Sequence, residues 1–170
     1  MTPTSGAALL AAAVLLGGCS EPVTFADPDR PAPVLPPTRS VLREGIEYGI
    51  TVTVLRSDVV VVDLVVRNRA QTARTIRFAD SCVGALRAYR HPSGELAWDQ
   101  REGKPACPPP IREVLLSPGG SLTAVARAGS LGILGWTLPE GDYRITVVVQ
   151  PAEAPEIELE VGVTRLERPL

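Results

Sequence analysis

Apolar and polar residues alternate with a period of two from about residue 45 onward, and this pattern constrains the fold more than any other feature of the chain. In residues 46–54, isoleucine, tyrosine and valine alternate with glutamate, glycine and threonine, and residues 143–149 and 157–163 repeat the pattern. Successive side chains of a β-strand point to opposite faces of the sheet, so each segment predicts a strand with one buried face. The chain after residue 45 is therefore expected to be all β.

Short turn sequences separate the predicted strands. They lie at residues 57–58, 91–94 and 117–120, where proline, glycine, serine and aspartate supply the backbone angles and hydrogen bonds that tight turns need. Residues 59–66 are apolar on both faces of the predicted strand, apart from Asp63, which favours a central strand. About seven to nine short strands at this spacing predict an immunoglobulin-like antiparallel β-sandwich over residues 45–166.

The N-terminus has the layout of a bacterial lipoprotein signal. A ten-residue apolar run, Ala7–Leu16, is followed by Gly17, Gly18 and Cys19. This run is shorter than the roughly 20 residues of a membrane-spanning helix, but it fits the apolar part of a signal peptide. We therefore predict a signal peptide at residues 1–18 and a lipid-modified Cys19 as the mature N-terminus. The alternatives are an ordinary secretory signal and a short apolar N-terminus with no role in export. Residues 1–18 contain no Lys or Arg, so the positively charged segment that usually begins a signal is missing.

Residues 19–44 are predicted to form a tether between the anchor and the folded domain. Its six prolines are Pro22, Pro28, Pro31, Pro33, Pro36 and Pro37. This density of proline opposes helix and sheet and favours extended polyproline II segments. A disordered tail is the alternative. Because Ser20 rather than aspartate follows the cysteine, the expected location in a bacterium with two membranes is the periplasmic side of the outer membrane.

Three cysteines occur in the chain, and each has a predicted role. With Cys19 assigned to lipid, Cys82 and Cys107 remain as an even pair in an oxidising compartment, which favours a disulfide. Such a bridge would close a loop of roughly 25 residues and stabilise the fold by about 3 kcal/mol on chain-entropy grounds. A metal site and a nucleophilic thiol are the alternatives, although the sequence places no histidine beside either thiol.

The composition argues against several classes of function. A net charge of −2 gives no basis for binding nucleic acid. His91 is the only histidine and precedes a proline in a turn, so a Ser-His-Asp triad is not expected. Glu156, Glu158 and Glu160 alternate along the last strand and are expected to form a solvated face. We therefore expect no enzyme activity, no catalytic residue, no cofactor and no metal.

Two segments are predicted to have a recognition or structural role. The first is the longest irregular segment, a candidate binding loop on a rigid scaffold. Its candidate residues are Asp99, Gln100, Arg101, Glu102, Lys104, Pro108, Pro109 and Pro110. A disulfide-braced crossover without a partner is the alternative. The second segment runs from Leu138 through Gly141 to Tyr143 and predicts a tyrosine corner, in which the hydroxyl bonds to the backbone a few residues upstream.

Four motifs in this order carry a resemblance to a known family. They are Val65–Asn68, Ser93–Trp98, Leu116–Leu122 and Leu138–Tyr143. Their order resembles that of the BsuPI-type proteinase inhibitor domain over roughly residues 47–150. The resemblance implies an immunoglobulin-like sandwich and proteinase inhibition. No inhibitory residue is carried over, because no reactive-site motif can be matched residue by residue.

These observations together predict a lipid-anchored binding module of the cell envelope, with proteinase inhibition as its candidate activity. The expected partners are the membrane, through the lipid, and a protein, for which a protease is one candidate. The alternative is a structural or assembly domain of the envelope that pairs an exposed strand edge with a partner protein.

Overall fold

Ten β-strands and one short helix lie within the residues that the computed structural model describes, which are 38–79, 82–102 and 112–169. In chain order they are β1 (Arg39–Arg43), β2 (Ile46–Leu55), β3 (Val59–Asn68), β4 (Arg74–Phe78), β5 (Ala85–Arg90), β6 (Leu96–Asp99), β7 (Arg112–Leu116), β8 (Ser121–Gly129), α1 (Ser130–Leu134), β9 (Gly141–Val149) and β10 (Ile157–Leu166). The strands match the period-two segments of the sequence closely, because each such segment has one face to bury.

Two four-stranded antiparallel sheets contain most of these strands. The first sheet has the order β1-β2-β3-β8 and the second has the order β10-β9-β5-β6, while β4 and β7 pair separately as a two-stranded ribbon. The almost entirely apolar β3 lies between two neighbours, as predicted. The all-β antiparallel fold predicted from the sequence is thus confirmed.

The core lies between the two sheets and consists of the inward side chains of the alternating segments. The largest fully buried members include Tyr143, Phe78, Ile50, Leu64 and Leu86. Burying one side chain of this size stabilises a fold by roughly 1.5–3 kcal/mol. The apolar face of each strand therefore fixes which side of the strand faces the core. A shift of the pairing by one residue would move all of its apolar side chains to the solvent.

The alternation predicted for residues 157–163 is interrupted by a β-bulge. The pairing of β10 with β9 shifts register between Glu160 and Gly162. Beyond the shift the inward face changes parity, so Val163 is 46% exposed whereas Leu166 is fully buried. The prediction that Val163 faces the core is therefore wrong, because a bulge adds one residue to the strand and reverses the side-chain alternation after it.

The folded domain begins earlier than predicted, because β1 lies inside the segment assigned to the tether. It pairs with β2 in a register that runs from Arg39 opposite Ile50 to Arg43 opposite Ile46. The two-residue connection, Glu44 and Gly45, has positive φ at both positions, 48° and 82°, as a type I′ hairpin turn requires. The signal peptide and residues 19–37 of the predicted tether lie outside the described residues.

The described residues contain ten strands rather than the seven to nine predicted. Besides β1, the five-residue helix α1 is an element that the period-two pattern does not predict. The finer assignment to the immunoglobulin-like class stays a prediction.

The strand ladders define two opposite ends of the sandwich. At one end, Val59 at the start of β3 pairs with Gly129 at the end of β8, immediately before α1. At the other end, Asn68 at the end of β3 pairs with Ile46 at the start of β2. We call these the α1 end and the hairpin end, after α1 and the β1–β2 turn.

Candidate functional site

The described part of the predicted binding loop is built into the second sheet. Asp99 is the last residue of β6, is only 6% exposed, and accepts a hydrogen bond from Arg87 Nε at 2.6 Å. Gln100 Oε1 accepts a hydrogen bond from a β5 backbone N–H at 2.9 Å. Arg101 Nη2 donates to the carbonyl of Val148 at 3.3 Å. These three side chains fix the beginning of the loop to the sheet, and among the described loop residues only Glu102 is exposed.

The rest of the predicted loop and two of the three cysteines lie outside the described residues. The residues concerned are Cys19, Lys104, Cys107, Pro108, Pro109 and Pro110. Cys82 is half-buried and precedes β5. Its pairing with Cys107 stays a prediction, as does the lipid modification of Cys19.

Arg87 is the centre of a polar cluster on the outer face of the second sheet. Its guanidinium contacts the carboxylates of Asp99, at 2.6 Å, and of Glu156, at 3.0 Å from Nη2. Burial alone would lower the pKa of Arg87, but the hydrogen bonds to Glu156 and Asp99 raise it above its ordinary value. Beside it, Thr146 Oγ1 donates to Glu158 Oε1 at 2.7 Å. The two glutamates are exposed, as expected, but Glu158 is bonded to β9 and Glu156 is bonded to β5.

The predicted tyrosine corner has the geometry that its definition requires. Tyr143 is 2% exposed, and its hydroxyl donates to the carbonyl of Pro139 at 2.7 Å. Leu138 is half-buried against the core, and Gly141 begins β9. The corner therefore holds the chain where it passes from α1 into β9.

Trp136 has the largest exposed fraction, 88%, among the exposed large apolar side chains of the described residues. It lies at the α1 end in residues 130–138, here called the Trp136 loop, together with Leu131, which is 46% exposed. The loop is rooted in the core through Ile133 and Leu134, which are buried on the opposite side of α1. Two apolar side chains are thus displayed on a segment that is itself firmly attached.

The backbone of the Trp136 loop is held on both sides of the tryptophan. Arg168 donates from Nε to the carbonyl of Gly135 at 3.3 Å and from Nη2 to the carbonyl of Leu138 at 2.6 Å. Leu138 N–H also donates to the carbonyl of Leu134 at 3.0 Å. A loop that is already ordered loses little conformational entropy when it meets a partner, so Trp136 is preorganised for contact.

The alternating pattern does not predict the Trp136 loop, although the sequence contains a signal for it. Trp136 belongs to no alternating segment and follows Gly135 directly. Gly135 has a φ of 52°, a region that favours glycine. A tryptophan beside a glycine between two predicted strands marks a turn that displays an aromatic side chain.

Comparisons with known proteins identify no family for the chain. No family model and no curated protein matches it. Among solved structures, β-glucosidase 3B from Thermotoga neapolitana in complex with glucose is similar at 16% identity and a TM-score of 0.38, over 72% of this chain and 17% of that one. The β-glucosidase from Listeria innocua in complex with glucose is similar at 15% identity and a TM-score of 0.35, over 69% and 16%. This chain therefore spans about one sixth of the length of either enzyme, and similarities of this size support no conclusion about its fold or activity.

The described residues contain neither a candidate metal site nor a candidate membrane-spanning helix. No cluster of three or more His, Cys, Asp or Glu side chains there could hold a metal ion. No helix in residues 38–79, 82–102 and 112–169 is both long and apolar enough to span a membrane.

Proposed function

We propose that this protein is a lipid-anchored binding module of the cell envelope and that the Trp136 loop is its contact with a protein partner. The observation that carries the proposal is the 88% exposure of Trp136 on a loop whose backbone is held on both sides by Arg168. Tryptophan is among the residues most enriched at the centres of protein interfaces, where it fills a pocket of the partner.

Burial of the Trp136 side chain at an interface would contribute substantially to the free energy of binding. A tryptophan side chain buries about 150–250 Å² at an interface. At about 25 cal/mol per Å², that area contributes roughly 4–6 kcal/mol before the cost of association is subtracted. Leu131 extends the same apolar surface. Loss of the indole should therefore weaken binding by well over tenfold.

A protease is the partner class that the BsuPI resemblance suggests. A rigid loop that presents one large side chain is suited to occupy a specificity pocket without rearranging, and this geometry supports inhibition. The direct test is to assay the purified protein against envelope and secreted proteases, with the Trp136→Ala variant beside it. Inhibition that the substitution abolishes would support the inhibitor role, and inhibition that it leaves unchanged would assign the activity to another surface.

The alternative function, assembly by strand pairing, is favoured by the open edges of the sandwich. Among the described residues, β1 and β10 each pair with one neighbour only. The two edges lie close together and are bridged by Arg39, which donates to the Glu160 carbonyl at 2.5 Å. An added strand could use either edge.

Site-specific photocrosslinking in intact cells distinguishes the Trp136 loop from other surfaces. A crosslinker is placed at Leu131, which is 46% exposed in the Trp136 loop, in one variant and, as the matched control, at Leu115, which is 69% exposed on the β4–β7 ribbon. We expect a defined protein adduct from position 131 that is lost when Trp136 is replaced by alanine, and none from position 115. Equal labelling at both positions would contradict the proposal.

The lipid anchor and a membrane role for the loop need their own measurements. Cys19→Ser should release the protein from the membrane or leave it with an uncleaved signal, and unchanged association that detergent reverses would contradict anchoring. If the Cys19→Ser protein floats with liposomes and Trp136→Ala abolishes flotation, the loop binds lipid rather than protein. Because tryptophan is enriched at membrane–water interfaces, lipid binding by the loop is the alternative that this measurement tests.

A further inference from the structure

A cleft of about 350 Å³ lies at the hairpin end of the sandwich. Ile46, which pairs with the last residue of β3, and Ile157, which pairs with the last residue of β9, are both part of its wall. Tyr48 and Ile76 complete a buried, apolar floor, and we call the site the Tyr48 cleft. Its volume is in the range of small-ligand sites. The cleft is at the opposite end from the Trp136 loop, so it is independent of the function proposed above.

The hydroxyl of Tyr48 is the polar group of this floor. Tyr48 is only 5% exposed, yet its hydroxyl has no hydrogen-bond partner within residues 38–79, 82–102 and 112–169. Burial raises the pKa of Tyr48 and the nearby Glu44 carboxylate raises it further, so the hydroxyl keeps its proton at neutral pH. Because no described group bonds to it, the hydroxyl is available to donate a hydrogen bond to a ligand in the cleft.

The rim of the Tyr48 cleft carries cations in excess. Arg43 and Arg74 form no ion pair with any described residue, and Arg43 Nη1 is held by the carbonyl of Pro155 at 3.3 Å. A third rim arginine, Arg77, is neutralised by Glu153 at 3.2 Å. Glu44 is the one rim carboxylate that forms no ion pair with a described residue. Two uncompensated guanidinium groups therefore face one uncompensated carboxylate, and the imbalance favours an anionic ligand.

The open edge of β1 borders the same cleft. Arg43 is the last residue of β1 and lines the cleft, and β1 forms its ladder with β2 alone among the described strands. The outer edge of a strand offers backbone N–H and C=O groups that a second extended chain can use. A peptide can use both the edge and the cleft, whereas a fatty acid has no backbone groups to pair with β1.

We propose that the Tyr48 cleft binds the C-terminus of a peptide whose last residue is apolar. The terminal carboxylate accepts hydrogen bonds from Arg43, Arg74 and the Tyr48 hydroxyl, and the last side chain rests on the isoleucines of the floor. The preceding backbone pairs with the outer edge of β1. This arrangement satisfies the Tyr48 hydroxyl and offsets the excess positive charge in one step.

The test is fluorescence anisotropy with the full chain in a non-ionic detergent and a short, N-terminally labelled peptide ending in leucine. The free-acid peptide should bind at least tenfold more tightly than the same peptide with a C-terminal amide, since amidation removes the charge that the arginines recognise. Arg74→Gln and Tyr48→Phe should each weaken binding of the free-acid peptide by about tenfold and leave binding of the amide unchanged. Arg127→Gln is the matched control, because Arg127 is an exposed arginine of β8 near the α1 end.

Three outcomes would overturn the proposal. The first is equal binding of the acid and the amide, and the second is a loss in Arg127→Gln as large as that in Arg74→Gln. The third is displacement of the peptide by a fatty acid that binds more tightly, which would assign the cleft to a lipid carboxylate. Circular dichroism of each variant confirms that the fold is retained, and Tyr48→Phe keeps the aromatic ring in the core, so misfolding does not account for its loss.

Discussion

Removing a single oxygen atom, that of the Tyr143 hydroxyl, tests whether the tyrosine corner stabilises the fold and the Trp136 loop. The hydroxyl donates to the Pro139 carbonyl at 2.7 Å, and the ring is 2% exposed. Tyr143→Phe keeps the ring and leaves that carbonyl without its donor. A hydrogen bond of this kind contributes about 0.5–1.5 kcal/mol, and a polar group left without a partner adds to the loss. We expect Tyr143→Phe to lower the free energy of unfolding by about 1–2 kcal/mol, or Tm by roughly 3–6 °C.

Tyr48→Phe is the matched control for this measurement. Both tyrosines are buried in the same core, but the Tyr48 hydroxyl has no partner within the described part of the chain. Its removal should therefore change the free energy of unfolding by less than about 0.5 kcal/mol. Urea unfolding followed by circular dichroism measures both values. Equal losses in the two variants would refute the reasoning, because the hydrogen bond would then contribute nothing beyond the change of a ring substituent.

The same variant also tests the link between the corner and the loop. The Pro139 carbonyl follows Leu138, the last residue of the Trp136 loop, and Arg168 holds the carbonyl of that same residue. Tyr143→Phe should therefore speed amide hydrogen exchange in residues 135–138 more than in the central strands. Uniform acceleration through the whole sandwich would show that the hydroxyl supports global stability only.

Three further predictions concern the core and its charges. Gly84→Ala should destabilise the fold by about 1–3 kcal/mol in thermal unfolding, since an added Cβ would lie 2.8 Å from Leu64 Cδ2 and 3.3 Å from Val147 Cγ1. Arg87→Gln should cost about 2 kcal/mol, because it leaves the buried Asp99 carboxylate without its cation, and Asp99→Asn in the same background should recover part of the loss. The raised pKa of Tyr48 means that the fold favours its protonated form, so stability is constant below the ordinary value of 10.0 and falls as pH rises above it. Tyr48→Phe should flatten this alkaline decline in urea titrations, and an identical decline in both proteins would contradict the assignment.

The sequence predicts well those strands that bury an apolar face of their own. β2, β3 and β9 each bury a continuous apolar face, so the local pattern and the tertiary packing agree. β1 is different, because four of its five residues are exposed and its order depends on pairing with β2 and on arginine contacts with β10 and Pro155, more than 100 positions away in the chain. The prolines before it also favour a tether, and nothing local to β1 outweighs them.

The candidate sites were harder to predict for a related reason. The sequence marks residues 99–110 by their lack of a pattern, but the burial of Asp99 depends on Arg87 across a strand ladder. The backbone of the Trp136 loop is held by Arg168, whose two hydrogen bonds to it join residues 30 and 33 positions apart. The Tyr48 cleft requires the β1–β2 turn, β4 and the β9–β10 connection to meet at one end. Such sites arise from the meeting of distant segments, which the period of a single strand does not encode.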